Sequence, residues 1–219
     1  INLIGGANPI FGLNTLGGAL SITTKDGFTH TGNQFESYGG SFERIVNTVE
    51  SGGNNGKWGY YITANYFDED GWRDASPSDA YTIFSAASFR HGDTTLDITL
   101  NHADTNLIGN GSSPIELLAL DRAAVFTSPD ITENKMTMIN FSGTQWLNQT
   151  IQLSSNIFYR KNKTNSFNGD GSEFEDDGAG ELEEDGDDVE DQNGNGISST
   201  NANGTSRDAI NNISNREQE

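Results

Sequence analysis

The most concentrated chemistry in the sequence is a tract of carboxylates between Asp170 and Asp191 that contains no Lys or Arg. It holds thirteen of the chain's 32 acidic residues. Like charges in such a block repel one another and stay solvated, so the simplest expectation is an extended, mobile surface loop. A loop of one charge sign also focuses an electric field, and it would attract cationic or metal-loaded ligands in a salt-sensitive way.

The end of this tract offers oxygen ligands at alternate positions before a glycine, in the order Asp191, Asn193, Asn195 and Gly196. That spacing is typical of a calcium-binding loop. The position where such a loop places its bidentate Glu holds Ala202, and no amphipathic helix flanks the tract. The sequence therefore argues against an EF-hand and leaves weak binding of a divalent cation, with calcium as the ion, as an open alternative.

A second cluster mixes carboxylates, an indole and a guanidinium over a few positions: Asp68, Glu69, Asp70, Trp72 and Arg73. Exposed aromatic and Arg side chains suit ligand recognition, so these residues are candidates for ligand contact at the mouth of a loop. The plainer alternative is a glycine turn in which Arg73 pairs with a neighbouring Asp, since most loop charges are structural or solvated.

Catalytic constellations are not found in the sequence. The three His residues are not at metal-ligand spacing from one another, and there is no Cys. No Ser/His/Asp arrangement or phosphate-binding loop can be argued for, so we expect no enzyme, no catalytic residue and no cofactor beyond the weak calcium alternative. Only 12 basic residues stand against 32 acids, which excludes a nucleic-acid partner.

The elements that would position these residues are predicted by apolar side chains that recur at every second position. The clearest case is 57–67, where Trp58, Tyr60, Ile62 and Tyr66 fall on one face. The same period predicts an all-β chain of about seven antiparallel strands, at 34–39, 42–51, 57–67, 81–90, 93–104, 136–147 and 149–161.

Composition and connections together favour a membrane β-barrel over a soluble fold. Hydrophobic residues make up only 32% of the chain and the net charge is -20, as expected where only every second strand residue faces lipid. No apolar run approaches the roughly 18 residues of a spanning helix, so any span would use strands. Long links at 68–80, 105–135 and 162–208 alternate with short turns, which would place all long links at one end of the sheet. A soluble sandwich has no reason to do so.

The opening of the chain combines a turn rich in Pro, Gly and Asn with a glycine pair and a short strand. The glycines indicate a close approach of the backbone or a positive φ. The run at 8–25 resembles the end of the plug domain of TonB-dependent outer-membrane receptors, where the plug leads into the barrel. The plainer alternative is a glycine-rich hairpin of a soluble β-protein. The resemblance implies a plug–barrel junction at Asn8, Pro9, Phe11, Gly12, Asn14, Gly17, Gly18 and Lys25.

The resemblance continues through shorter motifs at 38–42, 67–74, 107–111 and 126–130 and fades in the acidic tract. It implies that residues 1–25 are the end of a plug domain. Residues 26–219 would be the N-terminal part of a large transmembrane β-barrel, with an acidic extracellular loop at about 163–208. On this resemblance the 219 residues are expected to be part of a longer receptor.

The function that the resemblance implies is energised uptake of a scarce nutrient, most commonly a ferric siderophore or a similar metal chelate. The implied partners are the nutrient ligand, the lipid bilayer of the cell outer membrane and a TonB-type energy-transducing complex of the inner membrane. Two alternatives stay open. One is a receptor-like outer-membrane barrel used for surface adhesion or signalling, and the other is a soluble calcium-binding β-domain.

Overall fold

The structure, a computed structural model, describes residues 2–5, 18–109, 111–171, 174–184, 186–200 and 209–218. Within these ranges the chain is almost entirely β-structure, as the period-2 pattern predicts. The exception is one helix of 6 residues. No helix of the described ranges is long and apolar enough to cross a membrane.

The described strands form three antiparallel sheets. The one described helix is α1 (Ile115–Leu120), which lies between Gly109 and Asp130. The strands are β1 (Asn2–Gly5), β2 (Gly18–Ser21), β3 (Gly32–Gly39), β4 (Ile45–Asn54), β5 (Trp58–Glu69), β6 (Ser78–His91), β7 (Thr94–Gly109), β8 (Asp130–Trp146), β9 (Gln152–Gly171), β10 (Glu175–Asp176), β11 (Leu182–Glu184), β12 (Asp187–Asp188) and β13 (Ala209–Gln218).

The main sheet has eight strands in the order β13-β9-β8-β7-β6-β5-β4-β3. From β3 to β9 each strand pairs with the next one along the chain, so this part of the sheet is a meander. In the described residues β3 and β13 are the two edges, and the sheet is open. Strands β1 and β2 pair with each other before it, and β10, β11 and β12 form a small sheet within the acidic tract.

All seven predicted strands are confirmed, as β3 to β9, although their bounds differ. Strand β9 continues to Gly171, so the acidic link begins after that residue and not at about 163. Strand β13 is an eighth member of the sheet that the pattern does not predict, because Ile210 and Ile213 are three positions apart and do not alternate. Its register is fixed by backbone pairing with β9, from Ala209 opposite Gly171 to Gln218 opposite Asn162.

The first turn of the main sheet is longer than the predicted tight corner at residues 39–41. Phe42 and Glu43 have φ values of 62° and 57°, in the left-handed region that non-glycine residues rarely adopt. An extended backbone cannot pass through two such residues. The second strand therefore begins at Ile45 and not at Phe42, which corrects the predicted bound.

The register assigns the strand residues to two faces of different character. We call the face that carries Trp58 and Tyr60 the apolar face, and the opposite one, which carries Tyr61, the polar face. Among described strand residues of this sheet, exposed large apolar side chains lie on the polar face at Tyr38, Leu107, Trp146 and Phe158. On the apolar face the exposed ones are Phe35, Ile45, Val49, Trp58, Tyr60, Ile62, Tyr66, Tyr81, Ile98, Ile139, Phe141, Leu153, Ile157 and Tyr159.

Burial occurs on the polar face. Tyr61 is 3% exposed and Ser88 is 1% exposed, and Ala86 is buried beside them. These side chains are covered because residues 22–30, which lead from β2 to β3, pack against this face. A sheet folded in water normally buries its apolar face and leaves the polar face to solvent, so this arrangement is the reverse of the usual one.

Connections at the two ends of the main sheet differ in length, as the sequence predicts. One end, the long-link end, carries the links at 70–77, 110–129 and 172–208 together with the turn at 40–44. The other, the short-turn end, carries the turns at 55–57, 92–93 and 147–151. Strands β5, β7 and β9 run toward the long-link end, in agreement with the predicted direction.

Candidate functional site

Residues 22–30, called here the junction segment, approach the polar face more closely than a side chain would allow. A Cβ on Gly27 would overlap the carbonyl oxygens of Gly53 and Tyr60, so only glycine permits this contact. The Asn54 side-chain amide donates to the Gly27 carbonyl oxygen over 2.8 Å, which fixes the approach from the sheet side.

Lys25 anchors the junction segment to β4. Its Nζ donates to both carboxylate oxygens of Glu50, at 2.9 and 2.8 Å, and lies 5.8 Å from the centre of the Tyr61 ring. The hydrogen bond that Lys25 donates to Glu50 raises the pKa of Lys25, so the ammonium stays charged at neutral pH. Lys25 belongs to the junction that the sequence predicts, and the structure places it in contact with the sheet.

A second anchor is the Arg90 guanidinium, which bridges the junction segment and β7. Its Nη2 donates to Asp97 Oδ1 at 2.8 Å and lies 3.4 Å from Asp26 Oδ2. The guanidinium carbon is 5.4 Å from the centre of the Phe28 ring. That ring lies over Gly59, where a Cβ would come within 2.7 Å of it. One cation thus joins a carboxylate and an aromatic ring of the junction segment to the wall of the sheet.

Asp26 also organises the turn that follows it. Its Oδ1 accepts the backbone N–H groups of Phe28 and Thr29 at 2.9 and 2.8 Å, and the Thr29 hydroxyl at 2.9 Å. Burial alone would raise the pKa of Asp26, but the hydrogen bonds from Thr29 and Phe28 and the charge of Arg90 lower it below its ordinary range. The carboxylate is therefore ionised throughout the neutral range.

Next to the junction segment the polar face leaves a cavity of about 600 Å³. Most of its lining side chains can donate or accept hydrogen bonds, and the Asp97 carboxylate that holds Arg90 is among them. The lining residues are Ile22, Thr23, Thr24, Lys25, Asp26, Ala86, Arg90, Asp97, Thr99, Asn101, Met138, Asn140 and Ser142. Such a surface suits water or polar chain segments.

Of the other predicted junction residues, Gly18 has φ 128°, which confirms the expected positive φ at this glycine. The remaining ones lie outside the described residues: Asn8, Pro9, Phe11, Gly12, Asn14 and Gly17. The sequence singles out neither Arg90 nor Asp26 nor Asp97. A usable signal is the predicted hairpin, since Arg90 ends one strand and Asp97 follows on the next with only a short turn between them.

Two carboxylates of the predicted loop-mouth cluster, those of Glu69 and Asp68, accept hydrogen bonds from nearby side chains. Glu69 accepts two hydrogen bonds from Arg44, from Nε at 3.0 Å and from Nη2 at 2.7 Å. Asp68 accepts the Tyr66 hydroxyl at 3.2 Å, and both acids belong to β5. Asp70 uses its backbone N–H, which donates to the Phe42 carbonyl at 2.9 Å. These contacts support a structural role for the side chains of Glu69 and Asp68, whereas the contact of Asp70 is made by its backbone.

Trp72 and Arg73 are brought against the next long link. Arg73 Nη2 donates to Ser113 Oγ and to the Ala124 carbonyl, each at 3.0 Å, so the expected pairing with a neighbouring Asp is wrong. The physical reason is that the two links dock, as the backbone bond from Asp74 to the Ala123 carbonyl at 2.9 Å also indicates. Two partly buried oxygen acceptors across this contact hold the guanidinium in place of a nearby carboxylate.

The docked links enclose a groove of about 410 Å³ between the β5–β6 link and α1. The sequence identifies two of its residues and misses the four that come from the helical link. Their signal is an apolar run, Ile-Glu-Leu-Leu-Ala-Leu, inside an otherwise polar connection. The groove is lined by Trp72, Arg73, Ile115, Leu118, Ala119 and Arg122.

The acidic tract is folded in its described residues, so the expectation of an extended loop is wrong for them. Leu182 is 5% exposed, and Asp176 accepts a hydrogen bond from the nearly buried Ser199. Asp177 Oδ1 accepts the backbone N–H groups of Ala179 and Glu181, at 2.7 and 3.0 Å. The carboxylates stay exposed while they cap turn amides, so short strands form without burying charge.

The predicted calcium ligands are bonded to one another. Asp191 Oδ1 accepts the backbone N–H groups of Asn193 and Asn195, at 2.8 and 3.0 Å, and the Asn195 side-chain amide lies 3.2 and 3.1 Å from its two oxygens. These bonds, those from Asn195 first, lower the pKa of Asp191. A cation would have to displace them. In the ranges that the structure describes, no three His, Asp or Glu side chains are grouped closely enough to hold a metal ion.

The chain was compared with protein-family models, with curated proteins and with solved structures. None of the three comparisons finds a match. The contacts of the junction segment, the exposed apolar face and the groove at the long-link end are therefore the basis for a functional assignment.

Proposed function

We propose that the main sheet is part of the wall of a large transmembrane β-barrel in an outer membrane. The observation that carries this proposal is that the apolar face is exposed while the junction segment packs against part of the polar face, near the short-turn end. Trp58 is 61% exposed and Ile157 is 65% exposed, at the two sides of a continuous apolar surface. In water such a surface would drive association, whereas hydrocarbon is the solvent that suits it.

The width of the apolar surface supports this environment. On β5 it runs from Trp58 to Tyr66, about 26 Å along the strand at ~3.3 Å per residue. A strand tilt of about 40° shortens this to a height of roughly 20 Å, comparable with the ~25 Å apolar band of outer-membrane barrels. An aromatic residue stands at each margin, as in the aromatic girdles of such barrels.

The margin of the apolar surface nearest the long-link end changes position from one strand to the next, as expected for tilted strands. Paired residues connect Tyr66 on β5 through Tyr81, Asp104 and Lys135 to Lys163 on β9. On β9 the apolar surface ends at Tyr159, which is nearer the short-turn end than Lys163. Tyr159 lies in the middle of β9, whereas the predicted strand at 149–161 would place it near a strand end. In a barrel the strands are tilted and their register is staggered, so the margin of the lipid-facing surface is expected to move relative to the paired residues.

The polar face would then be the lumen side. The junction segment contacts this face at the short-turn end and continues into β3. In the proposed barrel the chain would therefore enter β3 from the lumen side. This arrangement and the resemblance of residues 8–25 together support a plugged barrel of the TonB-dependent receptor type. The proposed activity is uptake of a scarce nutrient, with a ferric siderophore or a similar metal chelate as the first candidate.

In this proposal the ligand meets the links at the long-link end, which would face the cell exterior. A TonB-type complex of the inner membrane would then act on the plug and release the ligand inward. Lys25 and Asp26 would anchor the junction segment to the barrel wall through their ion pairs with Glu50 and Arg90. Binding and gated passage require no bond chemistry, and the proposal includes no catalytic residue and no cofactor.

Deletion of the gene tests this function. We expect a deletion strain to lose uptake of a labelled ferric chelate when iron is scarce, and to regain it on complementation with the natural protein. A protonophore should abolish the same uptake in the complemented strain because the transport is energised. If the deletion strain takes up every tested chelate normally and instead loses surface attachment, the adhesion alternative replaces uptake. A soluble calcium-binding domain would instead stay in the aqueous phase without detergent.

A further inference from the structure

We propose that the groove between the β5–β6 link and α1 binds a small anionic amphipathic molecule. Its flat apolar body would lie against Trp72 and the helix, and its anionic group would meet the guanidinium groups of Arg73 and Arg122. A role for this molecule as transported cargo rests on the function proposed above. Its binding can be measured independently of transport.

The apolar wall of the groove is open to solvent. Trp72 is 56% exposed and Ile115 is 75% exposed, and Leu118 and Ala119 complete the helical side. A volume of about 410 Å³ lies within the range of ~300–1,000 Å³ that is usual for small-molecule sites.

The charge of the groove differs from that of the chain. Five cations of the described residues are paired with carboxylates: Lys25, Arg44, Arg90, Lys135 and Lys161. Among those residues the other six cations form no ion pair with a carboxylate, and two of these six, Arg73 and Arg122, line the groove. In a chain of net charge -20, two unneutralised guanidinium groups beside an apolar wall select an anion and repel a cation.

Arg73 is also held in place before any ligand arrives. Its Nη2 is fixed by Ser113 and Ala124, and its guanidinium carbon lies 5.5 Å from the centre of the Trp72 ring. Its Nε is buried and has no hydrogen-bond partner in the described residues. With Nη2 already engaged and Nε buried, Nη1 is the nitrogen that can donate to the anionic group, while the guanidinium stays against the indole.

Titration with naphthoate tests the assignment, using the purified natural protein in detergent and calorimetry as the readout. Naphthylmethanol, which has the same ring and no charge, is the matched probe for simple partition into apolar surface. We expect Arg122→Gln to weaken naphthoate binding about tenfold, as for a lost charge-assisted hydrogen bond, and to leave naphthylmethanol unchanged. Arg160→Gln, on the polar face of β9 and away from the groove, is the control and should behave as the natural protein.

Two results would overturn the proposal: naphthoate binding no more tightly than naphthylmethanol, or Arg122→Gln binding naphthoate as Arg160→Gln does. Arg122 is chosen because Arg73 also holds two links together, and its loss could unfold the site. Leu118→Asp is the second variant, expected to lose binding of both probes. If the protein binds naphthoate but its deletion leaves chelate uptake intact, the proposed binding site is supported and the uptake function is refuted. Lost uptake without naphthoate binding would do the reverse.

Discussion

At the residue scale, the contact between the junction segment and the sheet depends on a few side chains of unlike chemistry. Arg90 contributes most, because one guanidinium meets Asp26, Asp97 and the Phe28 ring. Its side chain is 28% exposed and those of the two acids are similarly covered, so these pairs are screened less than fully exposed ones. Loss of this cation would leave two partly buried carboxylates without their counterion.

Arg90→Gln is therefore expected to loosen the junction segment by about 1–2 kcal/mol, between the values for exposed pairs and for charged hydrogen bonds. The Phe28 and Thr29 amides, which Asp26 holds, should then exchange with solvent deuterium about tenfold faster or more. Arg160→Gln, on the same face without a described partner, is the control. Equal exchange in the two variants would contradict the role assigned to Arg90.

Acidic pH should act on the same contact through Asp26. Its folded pKa is lowered, so its stabilising contribution is complete above the unfolded pKa and is lost as the pH falls through the folded value. Asp26→Asn keeps a side-chain acceptor and removes the charge. We expect the natural protein to protect the Phe28 amide more than the variant does at neutral pH, with the difference vanishing well below about pH 4. A difference that persists or grows in acid would refute this assignment.

The sequence predicts part of this residue-level chemistry. Lys25 is identified because it closes a recognisable run, and its contact with Glu50 agrees with a junction. The partner of Arg73 is predicted wrongly because the prediction considers only carboxylates nearby in sequence. The observed partners, Ser113 and Ala124, are 40 and 51 positions away. Arg90 and Asp26 are 64 positions apart, and no local pattern reports such a distance.

At the scale of elements, alternating side chains decide which side of each strand faces which solvent. Strand β9 is the clearest case, because Ile157 and Asn156 are neighbours in sequence and lie on opposite faces. Ile157 pairs with Phe141, which pairs with Ile98, in the middle of the apolar face. Asn156 pairs with Ser142 on the polar face. The two positions therefore test the assignment of the faces with little change in anything else.

Ile157→Lys should destabilise the membrane-inserted protein by about 2–4 kcal/mol, the usual result for a Lys near the bilayer midplane. Asn156→Lys should change stability little because that position would face the lumen of the proposed barrel. Urea unfolding in lipid vesicles, followed by Trp fluorescence, measures both variants. Equal midpoints for the two variants, or a greater loss for Asn156→Lys, would contradict the orientation of the sheet.

Elements with strong alternation are predicted well from the sequence, and those formed by backbone pairing are not. Strands β3 to β9 follow from side-chain period, whereas β13 follows from its register with β9. Helix α1 has 6 residues and no side-chain N-cap, so the usual start signals are absent. The small sheet of the acidic tract forms because Asp177 and Asp191 cap turns, an effect that a count of charges does not report.

At the scale of the whole molecule, three features are consistent with one orientation of the sheet in a membrane. The apolar face is turned away from the junction segment, the long links gather at one end, and the junction segment reaches the polar face at the other end. A barrel wall with lipid outside, a plug inside and ligand loops above accounts for all three. In the described residues the sheet is open at β3 and β13, and this account requires both edge strands to be paired in the membrane.

The sequence predicts this global arrangement only in outline. Alternating loop length indicates the two ends, and low hydrophobic content with ordered aromatics indicates one lipid-facing side. The docking of the β5–β6 link on the next long link could not be predicted, because it depends on the Arg73 and Asp74 contacts between loops. The groove at that end is a product of this docking.

The central claim, that the apolar face contacts lipid, is tested most directly by cysteine scanning along β9. The 219 residues contain no Cys, so single substitutions from Gln152 to Arg160 can each carry a spin label in an otherwise cysteine-free protein in lipid vesicles. We expect collisions with oxygen, which concentrates in lipid, at 153, 155, 157 and 159, and collisions with a water-soluble nickel chelate at 152, 154, 156, 158 and 160. A chelate-accessible label at 157 with an oxygen-accessible one at 156, or no alternation at all, would contradict the account.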